Sequence, residues 1–114
     1  MEKVSSCVIT VFNEEDSMSL LLDSLVSQTM MPSEIIIVDA GSDDNTQEIV
    51  KNFARKFKKS NIKLLIKKGN RAVGRNFGIS KSKGEIILVT DAGCIPDKNW
   101  VKNLLRNFKG SVEV

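Results

Sequence analysis

The chain has 114 residues, 41% of them hydrophobic, with 17 basic against 14 acidic side chains and no histidine. That size and balance suit one globular domain and exclude wholesale disorder. The absence of histidine excludes the serine–histidine triad and histidine-ligated metal sites, and two cysteines, Cys7 and Cys94, cannot build a four-thiolate zinc centre, so acid–base chemistry must run on carboxylates.

Ser6 to Phe12 is a short apolar, β-branched run that predicts a strand, and the polar stretch Asn13, Glu14, Glu15, Asp16 behind it suits a helix start. Leu21, Leu22, Leu25 and Val26 then recur at helical spacing until Pro32 and Ser33 stop the pattern. Ile35 to Val38 predicts a second, buried strand that runs into the turn-forming cluster Asp39 to Asp44. Asp44, Asn45 or Thr46 is placed to cap a second helix, whose face is Ile49, Val50, Phe53, Ala54 and Phe57. Ile62 to Ile66 predicts a third strand, and Gly69 and Asn70 open a short basic helix ending by Gly84. Glu85 to Thr90 predicts a fourth strand, leading through Asp91 to Pro96 into a helix with Trp100, Val101, Leu104, Leu105 and Phe108. Val112 and Val114 read as the start of a fifth strand.

Strands this uniformly apolar, alternating with helices, predict an α/β fold: a mainly parallel, Rossmann-like sheet of about four strands with helices on both faces. Cys7 is expected to pack as a small core residue. The charge is polarised along the chain. Residues 1–50 carry ten acids and one base, whereas residues 51–83 carry twelve bases and no acid. Arg55, Lys56, Lys58 and Lys59 read as a solvated helix end, which the helix dipole favours. Phe53 and Phe57 belong to the apolar face of that helix, so nucleic acid is not an expected partner. No apolar run reaches the roughly 20 residues of a spanning helix, and residues 1–11 lack the make-up of a secretory signal. A cytoplasmic domain is expected, with contact to a membrane surface left open for a longer protein.

Ligands of open parallel sheets bind beyond the carboxyl ends of the strands. Three such ends are polar here: Thr10 to Glu15, Asp39 to Asp44, and Asp91 to Asp97, with Gly41 and Gly93 permitting close backbone approach. Acids at these tips are also ordinary turn and cap residues. As a set they suit a base or ribose hydroxyls, from which carboxylates accept hydrogen bonds, or a magnesium or manganese ion, while Arg71 and Arg75, four apart on one helical face, suit a diphosphate. Neither the phosphate-loop motif nor the dinucleotide glycine fingerprint is present.

Four segments, Val8 to Glu14 (VITVFNE), Ile35 to Thr46 (IIIVDAGSDDNT), Gly69 to Gly78 (GNRAVGRNFG) and Gly84 to Gly93 (GEIILVTDAG), together resemble the amino-terminal, nucleotide-binding half of a family 2 glycosyltransferase of the GT-A fold. The resemblance implies an enzyme that transfers a sugar, with inversion, from a nucleotide-diphosphate donor such as a UDP-sugar to an acceptor left open among glycan, lipid and protein. It places Thr10, Phe12 and Glu14 around the base, with Phe12 offering a ring face, Asp39 as an acceptor from the base, Arg71 and Arg75 toward the donor, and Asp91 toward the ribose and metal. Two departures stand out. Ala40 replaces a second aspartate, and Gly93 replaces the last acid of the D-x-D motif, which implies weakened or absent metal dependence, with Asp91, or Asp97 reaching in, as the only acidic ligands. The resemblance also implies that the catalytic base lies beyond residue 114, in an acceptor-binding part that this stretch lacks, so that the stretch alone is inactive. The oligomeric state stays open.

Three other readings compete. A nucleotidyltransferase-like domain would carry a glycine-rich basic loop after the first strand, where Asn13 to Asp16 is acidic; a phospho-receiver would carry an aspartate after the third strand, where Lys67 and Lys68 stand. A basic-surface binding module would use residues 51–83.

Overall fold

The computed structural model describes residues 4–107. Phe108, Val112 and Val114, and with them the expected fifth strand, lie outside the described residues. Four strands, β1 (Ser5–Val11), β2 (Glu34–Asp39), β3 (Ile62–Ile66) and β4 (Ile86–Asp91), alternate with helices α1 (Glu15–Val26), α2 (Thr46–Lys56), α3 (Arg71–Lys81) and α4 (Trp100–Asn107). All the pairings are parallel and the order is β3-β2-β1-β4. The four strands and four helices expected within the described residues are all present, with β1, β2 and β4 shifted or extended by a residue. Phe12 falls outside β1 because the chain turns at once, through Asn13 at a φ of 50°. A single 3-10 turn at Lys58–Ser60, closed by Asn61 in the left-handed region, has no counterpart in the sequence reading.

Alternation along the strands sorts the core into two layers. Cys7, Ile9, Ile35 and Ile37 meet Met18, Leu21, Leu22 and Leu25 of α1 and Val50 of α2, while Val8, Ile36 and Val38 meet Phe77 of α3 on the other face. Ile86 and Leu88 of β4 pack with Val101 of α4. Burial pushes the Cys7 thiol up to about 12, as an inert core residue requires. Arg55, Lys56, Lys58 and Lys59 are exposed at the end of α2 and beyond, and Phe57 stacks on Phe53 with ring centroids 5.6 Å apart.

Helix α3 lies unusually near the sheet because its inner face is glycine. A Cβ on Gly74 would stand 3.1 Å from Thr10 Cγ2, and one on Gly78 would stand 2.6 Å from Val8 Cγ1 and 2.9 Å from Val38 Cγ2. Val8 and Val38 are fully buried and stiff at χ1, so they have nowhere to retreat. Gly78→Ala should therefore lose about 1 kcal/mol of stability, the overpacking cost exceeding the gain in helix propensity. Thermal unfolding checks this, and a variant more stable than the parent would contradict the close approach.

At the amino-terminal ends of the strands one carboxylate joins β2 to β1, to β3 and to the segment leading into β4. Glu34 on β2 accepts from Lys63 Nζ of β3 at 2.9 Å, from Ser6 Oγ of β1 at 2.6 Å and from the Lys83 backbone N–H at 2.6 Å. The Gly84 N–H donates to the same Ser6 hydroxyl just before β4.

Candidate functional site

At the opposite end the strand tips and the start of α3 enclose a cleft of about 470 Å³. It forms where the connections diverge, since β1 is flanked by β2 on one side and β4 on the other, which is where open parallel sheets leave a crevice. Thr10, Phe12 and Glu14 line it from the end of β1, Ala40 from the end of β2, and Ala92 and Gly93 from the end of β4. The Phe12 ring is 55% exposed, so it is surface offered to the cleft and not core.

The far wall is α3. Asn70 caps this helix, its Oδ1 accepting from the Val73 N–H at 3.0 Å, and Arg71 stands in the first turn and lines the cleft. The helix therefore points its positive end at the cavity, an arrangement that favours an anion. Sequence reasoning singled out three strand ends and missed the fourth: Lys67, directly after β3, also lines the cleft and adds a second cation. The parallel register could have found it, because Ile66 pairs with Asp39 and so brings Lys67 level with Ala40. Gly69 reaches the left-handed region at a φ of 141°, and a Cβ there would meet Val73 Cγ1 at 2.8 Å, so only glycine turns the chain into α3 at this point.

Not every expected residue lines this cavity. Asp39 is fully buried on the side of the sheet shared with Val11, where its Oδ1 accepts from the Gly41 N–H, the Ser42 N–H and the Ser42 hydroxyl, each at 2.8 Å. Its Oδ2 is buried and has no partner. Arg75 sits one turn along α3 from Arg71, half-buried, with a buried and unpartnered Nε. Neither belongs to the lining. The backbone of Asp91 ends β4 opposite Thr10.

Several acids of the strand-end loops serve structure. Asn13 N–H donates to Ser42 Oγ at 2.7 Å, Asn13 Oδ1 accepts from Asp43 N–H, and Glu14 N–H donates to Thr46 Oγ1 at 2.8 Å, tying the loop after β1 to the loop after β2. Asp44 accepts from the Thr46 N–H and hydroxyl and from the Glu15 N–H. Partial burial pushes the Asp44 carboxyl up, but these bonds outweigh it and hold it below the ordinary range. Asp44 is thus the residue that steadies the start of α2, although the helix boundary falls at Asn45.

Residues 6–112 match the family model for glycosyl transferase family 2. The chain belongs to glycosyl transferase family 2. Glycosyltransferase AglE of Haloferax volcanii is 32% identical over 110 residues, covering 93% of this family 2 chain and 36% of AglE. Among solved structures, S. aureus TarS 1-349 in complex with UDP-GlcNAc superposes with a TM-score of 0.78 at 26% identity, over 90% of this chain and 30% of that one. The mannosyltransferase PcManGT of Pyrobaculum calidifontis, in complex with GDP-Man and Mn2+, shares the fold at a TM-score of 0.76 and 24% identity, over 84% of this chain and 29% of that one. The chain spans about a third of the length of such relatives. The family and the Rossmann-like parallel fold expected from the four motif segments are both borne out.

Proposed function

We propose that this chain supplies the donor site of an inverting glycosyltransferase that uses a nucleotide-diphosphate sugar, with a uridine diphosphate donor as the leading choice because TarS was solved with UDP-GlcNAc at 26% identity. The observation that carries the reading is the mixed cleft: an exposed ring on one wall, two cations and a positive helix end on the other. In this reading Phe12 stacks on the base, Thr10 and Glu14 border it, and the lone Oδ2 of Asp39 accepts from a base N–H. Arg71 and Lys67 hold the diphosphate, Arg75 supports their charge from behind, and Asp91 approaches the ribose.

Transfer forms a bond from the acceptor oxygen to the anomeric carbon and breaks the bond to the departing diphosphate. The cations and the α3 amino terminus stabilise the charge that grows on that leaving group. The acceptor proton needs a base, a role this reading assigns to no residue of the chain. Among the described residues no helix is long and apolar enough to cross a membrane. The acceptor, and any membrane surface that presents it, belong to the whole protein.

The chain fits a divalent cation only as an ion shared with the donor. Among the described residues no three acidic or cysteine side chains gather as a metal site, Gly93 has no side chain, and Asp97 Oδ1 already accepts from the Asn99 N–H at 2.8 Å. Asp91 remains, and magnesium or manganese is often held by one carboxylate plus substrate phosphates. A bound ion would offset charge on the diphosphate. Calorimetric titration with UDP, GDP and UDP-sugars, with and without manganese, should show binding that manganese strengthens only slightly. No binding of any nucleoside diphosphate to a folded sample would sink the reading. Gly93→Asp tests the metal separately. Nothing stands within 4 Å of a Cβ at that position, so the variant should fold normally and make UDP binding about tenfold more responsive to manganese.

A further inference from the structure

We infer that Gln28 is a positioning residue for the loop that follows Asp91 and carries Ala92 and Gly93 into the cleft, an assignment that rests on the donor-site reading above. The side chain is buried just beyond the end of α1, and its three hydrogen bonds use both ends of the amide. Nε2 donates to the Ser24 carbonyl at 3.0 Å and to the Asp97 carbonyl at 2.6 Å, and Oε1 accepts from the Val101 N–H at 3.0 Å. One amide thus satisfies a terminal carbonyl of α1, a carbonyl of the loop and an amino-terminal N–H of α4, groups that helix ends otherwise leave open.

The neighbours repeat the attachment. Thr29 N–H donates to the Lys98 carbonyl at 2.8 Å, and the Thr29 hydroxyl donates to Asn99 Oδ1 at 2.7 Å. Upstream, the loop is held by the pairing of β4 with β1 as far as Asp91 opposite Thr10. Between Asp91 and Asp97 the loop exposes Gly93, Cys94 and Ile95, with Ala92 and Pro96 buried. The path of this span is therefore set by two anchors, and Gln28 is the one that no strand provides. It also couples the loop to α1, whose other end begins beside Glu14 on the same cleft.

The test uses Cys94, which is exposed while Cys7 is fully buried, so a thiol-directed spin label attaches in the loop alone. Gln28→Met fills the space but makes none of the three bonds; Gln28→Ala is the second variant should the first pack badly. Glu34→Gln, at the opposite end of the sheet, is the control for general loss of stability. Both Gln28 variants should sharpen the Cys94 label spectrum and weaken UDP binding about tenfold, while the control changes neither. A sharpened spectrum with UDP affinity unchanged overturns the inference, as does an unchanged spectrum or an equal effect from the control. If the parent chain binds neither UDP nor GDP, the donor-site reading falls by itself. The label spectrum then decides whether Gln28 anchors the loop.

Discussion

Asp39→Asn is expected to leave the protein folded and to cost about ten- to a hundredfold in nucleotide affinity, whereas Asp39→Ala should damage both. The asymmetry follows from the two oxygens. Oδ1 accepts three bonds from Gly41 and Ser42, and an asparagine oxygen still accepts them. Oδ2 is the buried oxygen without a partner, and an asparagine turned to satisfy the loop puts an NH2 there, donor against donor if a base N–H is to approach. Alanine also frees two backbone N–H groups of the turn, a loss of about 2–4 kcal/mol. Thermal unfolding with UDP calorimetry on both variants separates the roles. An asparagine variant that binds UDP as well as the parent would show that Oδ2 does not meet the base.

The other large effect is expected at Glu34, far from the cleft. Burial by itself pushes this carboxyl up, but the bonds from Lys63, Ser6 and the Lys83 N–H outweigh it and hold its pKa at about 2, below the ordinary 4.5. The side chain is 3% exposed, so the bonds work with little solvent screening. A pKa lowered by folding means that the stabilisation is complete above about 4.5 and disappears as pH falls through about 2. It amounts to about 3 kcal/mol near neutrality. Glu34→Gln should therefore lower the melting temperature by roughly 10 °C at pH 7. Parent and variant should converge as pH falls from about 4.5 to about 2, because the unfolded chain takes up a proton at this position over that window while the folded one resists protonation until about 2. A gap that stays constant over that window would show that the network contributes packing alone.

The strands were legible because runs such as Ile35 to Val38 leave no polar face, and a strand buried on both sides writes itself into composition. Their order was not. Nothing in Ile86 to Asp91 says that it pairs with β1, since parallel neighbours share no turn and contribute similar side chains. The cleft was legible at Thr10, Phe12, Glu14 and Arg71, which line it, and less so at Asp39 and Arg75, which lie behind it. Face matters here: Thr10 meets the α3 side of the sheet at Gly74, whereas Asp39 lies with Val11 on the other side. Glycines four apart at Gly74 and Gly78 were a readable hint of close packing, read instead as part of a basic helix. Gln28 gave no hint, because a glutamine after an amphipathic helix is ordinary until its partners some seventy residues away are seen.

The placement of β1 between β2 and β4 has a consequence during synthesis. Of the four described strands the earliest made, β1, is a central one, and its pairing partner on one flank, residues 86–91, is made about eighty residues later. At about 5–20 residues per second, that flank of β1 stays bare for roughly 4–16 s while its other flank already has β2. An unpaired edge of Val8, Ile9 and Val11 is a template for the β1 of another nascent chain. Yield in a cell should accordingly depend on how fast the ribosome moves from β1 to β4, even for variants whose finished fold is equally stable.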